Sequence, residues 1–407
     1  MPNKKIVFVT YGGGHVNMLV PVIKELQKQD NLELIVLGLT TAGSVLKNNN
    51  IPYIGFKDLL KDNDDALKWG KKLVNKNDLH DLVSYEESVA YMGLSYVDME
   101  RNIGTKLAAS NYKKNGRTAF LPTNVLESFF QDIRPDLVVT TISPRAEEAA
   151  VYAARNLNIP CICLVDLFSI PSLKRASQPC YADRVCVISN DVKDLMVSYG
   201  RDEEDILVTG NPAFDTLKKP SIKQKAQQVR LVKKWEDKKV ILWASQIEPD
   251  KFHNGIKGNP DLPREIEHRL VELVNSVENF HLVIRPHPNE SYKQQYTNQR
   301  VETCKEGDIP LHVLLKAVDL VVIMTSTVGL EARLLGTPVV SIDLSIFSND
   351  TPYSGLKIST GVSSLYDLNS TIINVLNRDH KECASNFPEI GKSTNNVVSV
   401  INQFIKK

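Results

Sequence analysis

Short apolar runs alternate with stretches of helical periodicity along most of the chain. The runs consist almost continuously of Val, Ile and Leu, which is typical of strands buried on both faces of a parallel sheet. Between the first two runs, Leu19, Val22, Ile23 and Leu26 follow the spacing of one helical face. This alternation predicts a doubly wound α/β domain. The predicted strands of this first series are residues 5–10, 32–37, 52–56, 137–141, 161–165, 184–188 and 206–209.

A second alternating series begins after residue 228. The preceding residues 218–228 are polar and charged, which predicts a linker and the entry helix of another domain. The fold class is therefore α/β, with two Rossmann-like doubly wound domains that face a central cleft, the place where such sheets bind ligands. The predicted strands of the second series are residues 239–245, 280–284, 319–323 and 338–342, and the predicted helices are residues 262–276, 327–335 and 368–377.

These patterns also predict the domain boundaries. Residues 1–215 are expected to form the N-terminal domain, with a long, polar, helical insertion at about residues 59–130, after the third strand. Residues 216–391 are expected to form the C-terminal domain. Residues 392–407 are predicted to form a last helix that can cross back to the first domain.

The composition is that of a soluble globular protein. Apolar residues make up 42% and charged residues 24% of the 407 residues. The net charge is +1, so binding of nucleic acid, which requires a clustered basic field, is not expected. The sequence contains no apolar run of the roughly 18 residues that a membrane span requires, and its six cysteines form no Cys-x-x-Cys pair. These features predict a cytoplasmic protein without a disulfide framework or a zinc site.

A glycine loop, Gly12-Gly13-Gly14-His15, follows the first predicted strand and opens a helix. Consecutive glycines let the backbone turn sharply and approach a ligand closely, and the helix N-terminus favours an anionic or hydroxyl-rich ligand. The loop is neither a P-loop, since no Lys-Ser/Thr follows, nor the dinucleotide pattern GxGxxG. His15 is expected either to act as a general base or to hydrogen-bond locally within a tight turn.

Arg285 and His287 come directly after a predicted strand of the second domain, and prolines, including Pro288, flank the histidine. The prolines hold this segment extended and fix the direction of the imidazole. An arginine and a histidine at the carboxyl end of a strand can bind phosphate through charge-assisted hydrogen bonds. A rigid proline turn with an incidental Arg and His is the alternative.

Thr325, Ser326 and Thr327 lie where the next strand passes into a helix. Hydroxyl and N–H groups at the start of a helix can bind a diphosphate. Glu331 follows about one turn later, within reach of the hydroxyl groups of a ribose. Because a Ser/Thr cap and an exposed Glu are common in ordinary helices, the order of these residues matters more than any one of them.

Four segments resemble those of GT-B glycosyltransferases. The glycine loop resembles that of the enzyme that adds N-acetylglucosamine to lipid-linked muropeptide. Gly210-Asn211-Pro212 resembles the Gly-Asn segment at the domain crossover of GT-B transferases and of UDP-N-acetylglucosamine 2-epimerases, although a plain interdomain turn explains it equally well. The pair His287-Pro288 resembles the motif of bacterial sialyltransferases and capsule Kdo transferases. The segment from Ser326 to Pro338 resembles one that binds nucleotide sugars in many GT-B enzymes.

The resemblance implies a glycosyltransferase that moves a sugar from a nucleotide-sugar donor to a hydroxyl of a polysaccharide, glycolipid or other lipid-linked saccharide acceptor. The donor is expected to be UDP- or CMP-linked, and neither a metal nor another cofactor is implied. His15, or Asp166 after a buried strand, is expected to be the catalytic base. Capping of the next turn by Asp166 is an equal alternative. The residues expected to contact the donor are Gly13, Gly14, Asn211, Arg285, His287, Pro288, Thr325, Ser326, Thr327 and Glu331.

Two other functions remain open. The chain lacks most of the carboxylate and arginine motifs of the 2-epimerases: residues 141–144 and 165–169 replace their Gly-Asp-Thr and Val-Glu-Ala-Gly-Leu-Arg segments. An epimerising or hydrolysing enzyme of that kind is therefore the second hypothesis. A sugar-nucleotide sensor without catalytic activity is the third.

Other charged segments are expected to have structural roles. Glu147 and Glu148 are expected to complement a helix dipole, and Glu86 and Glu87 are expected to face water. Asp62-Asn63-Asp64 has the spelling of a metal-binding DxD motif but is expected to be a solvated loop. Residues 67–76 mix Trp69 with four lysines, which predicts a solvated basic face or, alternatively, a peripheral contact with the inner face of the membrane.

Overall fold

Two six-stranded parallel sheets form the framework of the computed structural model, which describes residues 3–61, 63–75, 82–252, 255–293, 296, 298–378 and 386–406. The order of the first sheet is β2-β1-β3-β4-β5-β6, and that of the second is β12-β11-β10-β7-β8-β9. The strands of the first sheet are β1 Lys4–Thr10, β2 Leu32–Gly38, β3 Leu137–Thr141, β4 Cys161–Leu164, β5 Arg184–Val187 and β6 Ile206–Val208. Those of the second are β7 Lys239–Ala244, β8 Phe280–Arg285, β9 Val301–Thr303, β10 Leu320–Ile323, β11 Val339–Ile342 and β12 Thr360–Val362.

Helices follow most of these strands, as in doubly wound domains. Those before β7 are α1 Gly14–Leu26, α2 Ala42–Asn48, α3 Phe56–Leu59, α4 Asp64–Leu73, α5 Tyr85–Ile103, α6 Thr105–Asn115, α7 Thr123–Ile133, α8 Ala146–Asn156, α9 Ile170–Ala176, α10 Asn190–Ser198 and α11 Pro220–Val232. Those after β7 are α12 Leu262–Ser276, α13 Leu311–Ala317, α14 Val328–Leu334, α15 Leu368–Leu376 and α16 Ser393–Ile405. The fold class of two Rossmann-like domains is thereby confirmed.

The chain divides into a first unit, residues 1–215 and 387–407, and a second unit, residues 216–386. Each has its own apolar core, because its parallel strands are buried on both faces. The last helix, α16, belongs to the first unit, where Val397 and Ile401 pack into the same core as Ile6 and Leu19. Asp215 fixes the start of this helix, since its carboxylate accepts hydrogen bonds from the backbone N–H groups of residues 391, 393 and 394.

The prediction of a strand at residues 52–56 is wrong. Only Ile54 forms an isolated bridge, to Leu37 at the edge of the first sheet. Gly55 then caps the short helix α3, and its backbone N–H donates to the Asp58 carboxylate at 2.8 Å. Since Pro52 also lacks a backbone donor, the segment cannot extend the ladder. The helical insertion therefore follows the second strand of the sheet, between β2 and β3.

Glu87 does not face water, contrary to the prediction. It lies in the first turn of α5 and is 7% exposed, and its two carboxylate oxygens accept hydrogen bonds from the backbone N–H groups of Phe56 and Lys57, each at 3.0 Å. A carboxylate at this position satisfies the free N–H groups at the start of α3. The sequence pattern missed this role because the two helices lie about 30 residues apart in the chain.

Helices α4 and α5 pack closely through two glycines. A Cβ atom at Gly70 would collide with the Val89 carbonyl oxygen, and one at Gly93 would collide with the backbone of Ala66. The ring of Trp69 packs against that of Tyr96 with centroids 4.2 Å apart and the two planes inclined by 38°. Because α4 uses Trp69 to pack on α5, this tryptophan is not presented as a free apolar anchor, and the membrane contact stays a prediction.

Within the described ranges, no helix is long and apolar enough to cross a membrane.

Candidate functional site

The chain reverses its direction of strand addition between β1 and β3, and a buried glutamate joins the ends of these two strands. Open α/β sheets bind ligands at such switch points. Glu147, in the first turn of α8, is 1% exposed. Its Oε1 atom accepts hydrogen bonds from the Tyr11 backbone N–H at 3.0 Å and from the Thr141 hydroxyl. The side chain thus fixes the entrance of the glycine loop to the end of β3.

The other carboxylate oxygen of Glu147, Oε2, has no hydrogen-bond partner among the described residues. Burial raises the pKa of this carboxyl, and the charge of His15 opposes the shift only in part. The prediction that Glu147 complements a helix dipole therefore missed its main role. Thr141 at the end of a predicted strand and Glu147 six residues later were the visible signal, but only the strand order shows that Tyr11 lies beside them.

We expect Glu147→Gln to flatten the pH dependence of stability above pH 4.5, the ordinary pKa of the group. Above that value the folded protein holds a proton that the unfolded chain releases, so the free energy of unfolding falls as pH rises towards the raised pKa. A glutamine keeps the acceptor for Tyr11 and Thr141 but cannot ionise. Urea unfolding between pH 4.5 and 8 measures the slope, and the exposed Glu204→Gln serves as control. An unchanged slope in Glu147→Gln would contradict the assignment.

The glycine loop forms a sharp turn with free space above it. A Cβ atom at Gly12 would collide with Thr41, and Gly13 has a φ of 69°, in the region that favours glycine. A Cβ atom at Gly13 would meet no atom within 4 Å. Helix α1 begins at Gly14 without a side-chain cap and without an acidic residue in its first turn. The N–H groups of this turn therefore remain available to a ligand.

His15 and Asp166, the two predicted candidates for the base, lie together beside this loop. The His15 Nδ1 atom is 3.8 Å from the Asp166 Oδ2 atom, and both side chains are mostly buried. Asp166 follows β4, and its backbone oxygen accepts a hydrogen bond of 3.0 Å from the Asn211 side chain. Asn211 is itself buried and belongs to the first unit. In this structure it holds the Asp166 segment, whereas its sequence motif predicts a contact with the donor.

The second sheet has its switch point between β7 and β10, and a glutamine joins these strands. Gln246 donates to the Thr325 hydroxyl at 2.9 Å, and its Oε1 atom accepts from the Thr325 backbone N–H at 3.1 Å. Ser326 and Thr327 follow directly and precede α14. The Ser326 carbonyl is fixed by the buried Tyr353 hydroxyl, which donates at 2.5 Å. Sequence reasoning missed Gln246, because a single glutamine after a strand carries no recognisable signal.

The turn after β8 presents His287 with a defined ring orientation. The His287 Nδ1 atom accepts a hydrogen bond from the Asn289 backbone N–H at 3.2 Å, which leaves the ring proton on Nε2. Glu290 fixes the turn: its Oε2 atom accepts from the His287 backbone N–H at 3.3 Å and from the Ser245 hydroxyl at 3.1 Å. Arg264 on α12 forms an ion pair with the same carboxylate. Because Ser245 follows β7, Glu290 connects the ends of β7 and β8.

The remaining predicted donor residues lie around these strand ends. Arg285 ends β8 and is half-buried, with its guanidinium 4.0 Å from the Cys304 sulfur, and Pro288 is exposed beside it. Glu331 lies inside α14 and its Oε2 atom is 2.6 Å from the His312 Nε2 atom. The carboxyl edge of β10, β7 and β8 thus carries all the predicted donor residues of the second unit.

The predicted loop at Asp62-Asn63-Asp64 has no metal-binding geometry in its described part. Asp62 lies outside the described residues, and the Asn63 side chain caps α4 by accepting a hydrogen bond from Ala66 N–H at 3.0 Å. Asp64 belongs to the first turn of this helix. Over the residues that the structure describes, no group of three or more His, Cys, Asp or Glu side chains is arranged to hold a metal ion.

Comparison with known proteins agrees with this architecture. Residues 214–351 match the family described as capsule polysaccharide biosynthesis protein. No curated protein sequence matches the chain significantly. Its fold is similar to that of UDP-GlcNAc 2-epimerase from Neisseria meningitidis bound to UDP-GlcNAc, with 17% identity, coverage of 99% of this chain and 100% of that chain, and a TM-score of 0.58.

Two solved transferase structures are similar to the chain at comparable levels. The glycotransferase of kitacinnamycin has 12% identity and a TM-score of 0.58, and MurG of Acinetobacter baumannii has 15% identity and a TM-score of 0.54. Both comparisons cover 99% of this chain and 100% of the other. At these identities the likeness shows that the chain has the fold shared by these transferases and epimerases.

Proposed function

We propose that this protein is a metal-independent glycosyltransferase that moves a sugar from a nucleotide-sugar donor to a hydroxyl of a polysaccharide or glycolipid acceptor. The observation that carries the proposal is the polar cluster at the switch point of the second sheet, where Thr325 and Ser326 follow β10 and His287 follows β8, on the two sides of β7. This cluster lies within the residues that match the capsule polysaccharide biosynthesis family. The similar Neisseria enzyme is bound to UDP-GlcNAc, which supports a nucleotide sugar as the donor.

On the donor side, phosphate oxygens would accept hydrogen bonds from the His287 Nε2–H group and from Arg285. The Ser326 and Thr327 hydroxyls would contact the diphosphate, and Glu331 the ribose. These groups stabilise the negative charge that develops on the leaving nucleotide without help from a metal. Glu290 and Gln246 would act as positioning residues, because they hold the backbone of these segments through hydrogen bonds.

On the acceptor side, His15 would take the proton of the attacking hydroxyl. Its Nδ1 atom is buried and faces Asp166, while the side chain keeps 23% of its surface exposed, so the accessible ring atoms lie on its other side. A carboxylate next to Nδ1 orients the imidazole and stabilises its protonated form. The acceptor hydroxyl would lie above Gly13, where the loop leaves open space.

A 2-epimerase-like activity, epimerising or hydrolysing, is the second candidate, favoured by the structural similarity to UDP-GlcNAc 2-epimerases. Both activities require a nucleotide sugar at the second unit, so product analysis separates them. A transferase forms a glycoside that depends on the acceptor, whereas an epimerase isomerises or hydrolyses the donor without one.

The donor site can be tested by thermal unfolding with UMP, UDP, CMP, CDP, GDP and dTDP in the absence of added metal. A nucleotide at a hundred times its Kd adds about 2.7 kcal/mol to the free energy of unfolding. We expect the melting temperature to rise by roughly 5–10 °C with nucleotides that carry one particular base, and not with the others. The rise should disappear in His287→Ala and Ser326→Ala and persist in His268→Ala, whose side chain is exposed on α12. If no nucleotide stabilises the wild type, the proposed function is wrong.

A further inference from the structure

We propose that the first unit binds an anionic group of its acceptor, a carboxylate or a phosphate, between Arg145 and Arg117, with the Tyr91 hydroxyl as an additional hydrogen-bond donor. That the anion belongs to the acceptor rests on the proposed function. The anion site itself consists of three side chains that the fold brings together from distant parts of the chain.

Arg145 lies at the switch point of the first sheet, in the loop between β3 and α8. Its guanidinium is 5.5 Å from the centre of the Tyr11 ring, at the entrance to the glycine loop. The side chain is half-buried, and among the described residues it has no carboxylate partner. Arg175, close by, instead lies 3.5 Å from Glu148. An unpaired guanidinium on an aromatic face is well placed to bind a planar anion.

The Tyr91 hydroxyl is an unsatisfied donor beside this arginine. Tyr91 lies on α5 and is 4% exposed, and its hydroxyl has no hydrogen-bond acceptor among the described groups. Burial raises the pKa of this phenol, while the charges of Arg145 and Arg117 oppose the rise. The hydroxyl therefore stays protonated, and a buried donor without an acceptor is a group that a ligand can satisfy.

Arg117 supplies the second cation, because the ring of Phe120, three residues later, packs edge-on against Tyr91 with centroids 5.9 Å apart and so places this turn beside the phenol. It lies in the short 3₁₀ helix Gly116–Ala119, after α6, and its side chain is exposed and without an acidic partner in the described part of the chain. Tyr91 and Arg117 both belong to the helical insertion, whereas Arg145 and Tyr11 belong to the sheet framework. The insertion thus has a function in this proposal, because it completes an anion site next to the glycine loop.

This site favours ligands with one or two negatively charged oxygens that can accept several hydrogen bonds. Arginine binds carboxylate and phosphate in a bidentate manner. Acid sugars provide the first group, and lipid-linked saccharides provide the second. A neutral sugar has no group that could replace a full negative charge between two arginines, so the site would select for acidic acceptors.

Calorimetric titration of the full chain with inorganic phosphate, glucuronic acid and glucose tests the proposal. We expect phosphate or glucuronic acid to bind and glucose not to bind at this site. Arg145→Gln and Arg117→Gln should each lower the affinity for the anion by about tenfold or more. Tyr91→Phe should also weaken binding of the anion, with little change in the melting temperature, because the hydroxyl has no acceptor to lose. Arg155→Gln, at the exposed end of α8, is the matched control and should bind as the wild type does.

Tighter binding of glucuronic acid would assign the site to an acid sugar, and tighter binding of phosphate would assign it to a phosphate-bearing acceptor. The proposal is overturned if neither anion binds, or if affinity is unchanged in either arginine variant. Nucleotide stabilisation measured in the same variants separates this result from the proposed function. It should persist in all of them, and its absence in the wild type would reject the transferase while leaving the anion result to stand on its own.

Discussion

Replacing His15 by alanine is expected to lower kcat for glycosyl transfer by about 10²- to 10⁴-fold, the range that general-base catalysis contributes. The imidazole is the accessible proton acceptor beside the open space over Gly13. Nucleotide stabilisation should be unchanged, because the predicted donor residues Arg285, His287 and Ser326 lie in the other unit. Steady-state rates with the donor base identified by thermal unfolding provide the measurement.

Asp166→Asn separates the two candidates for the base. If Asp166 only orients the imidazole, the asparagine variant should lose less activity than His15→Ala, and the double variant should be no slower than His15→Ala alone. If Asp166 is the base, His15→Ala keeps most of its activity and Asp166→Asn loses it. His268→Ala controls for the loss of an imidazole far from the glycine loop.

The repeating pattern of apolar runs was sufficient to predict the fold class. Every predicted strand except residues 52–56 is present in the two sheets. Buried parallel strands can be recognised from a short stretch of sequence, since both of their faces are apolar. The three-residue strands β9 and β12 were missed because Val301–Thr303 and Thr360–Val362 are too short and too polar to form such a run. Residues 52–56 were overpredicted because a single bridge at Ile54 has the same local composition as a strand.

The candidate site was predictable only where its residues follow a strand directly. The glycine loop, the segment after β8 and the Ser326-Thr327 pair all have this property, and the structure places them at the carboxyl edges of the sheets. Residues that act across the sheet gave no such signal. Glu147 and Tyr11 are hydrogen-bonded although they lie 136 positions apart in the sequence, and Gln246 and Thr325 lie 79 positions apart. The roles of Glu147 and Gln246 therefore depend on the order of the strands. Strand order is set by the packing of the whole domain, which one sequence does not reveal.

Gly93→Ala is expected to destabilise the first unit by about 3 kcal/mol, because the new methyl group would collide with the backbone of Ala66 on α4. A backbone carbonyl cannot rotate away as a side chain can, so the two helices would have to separate. Gly355→Ala is the control, since its nearest contact would be an ordinary one of 3.4 Å, to Pro352. Urea unfolding followed by circular dichroism compares the two variants, and equal midpoints would contradict the close helix contact.

The same variant links the packing of the insertion to the anion site. Tyr91 lies two residues before Gly93 on α5, so a shift of this helix displaces the phenol from Arg145. We therefore expect Gly93→Ala to weaken phosphate or glucuronic acid binding even under conditions where the protein stays folded. Nucleotide stabilisation should remain, because the predicted donor residues belong to the second unit and the insertion helices belong to the first. A variant that no longer binds the anion but is still stabilised by the nucleotide would show that the insertion serves the acceptor side alone.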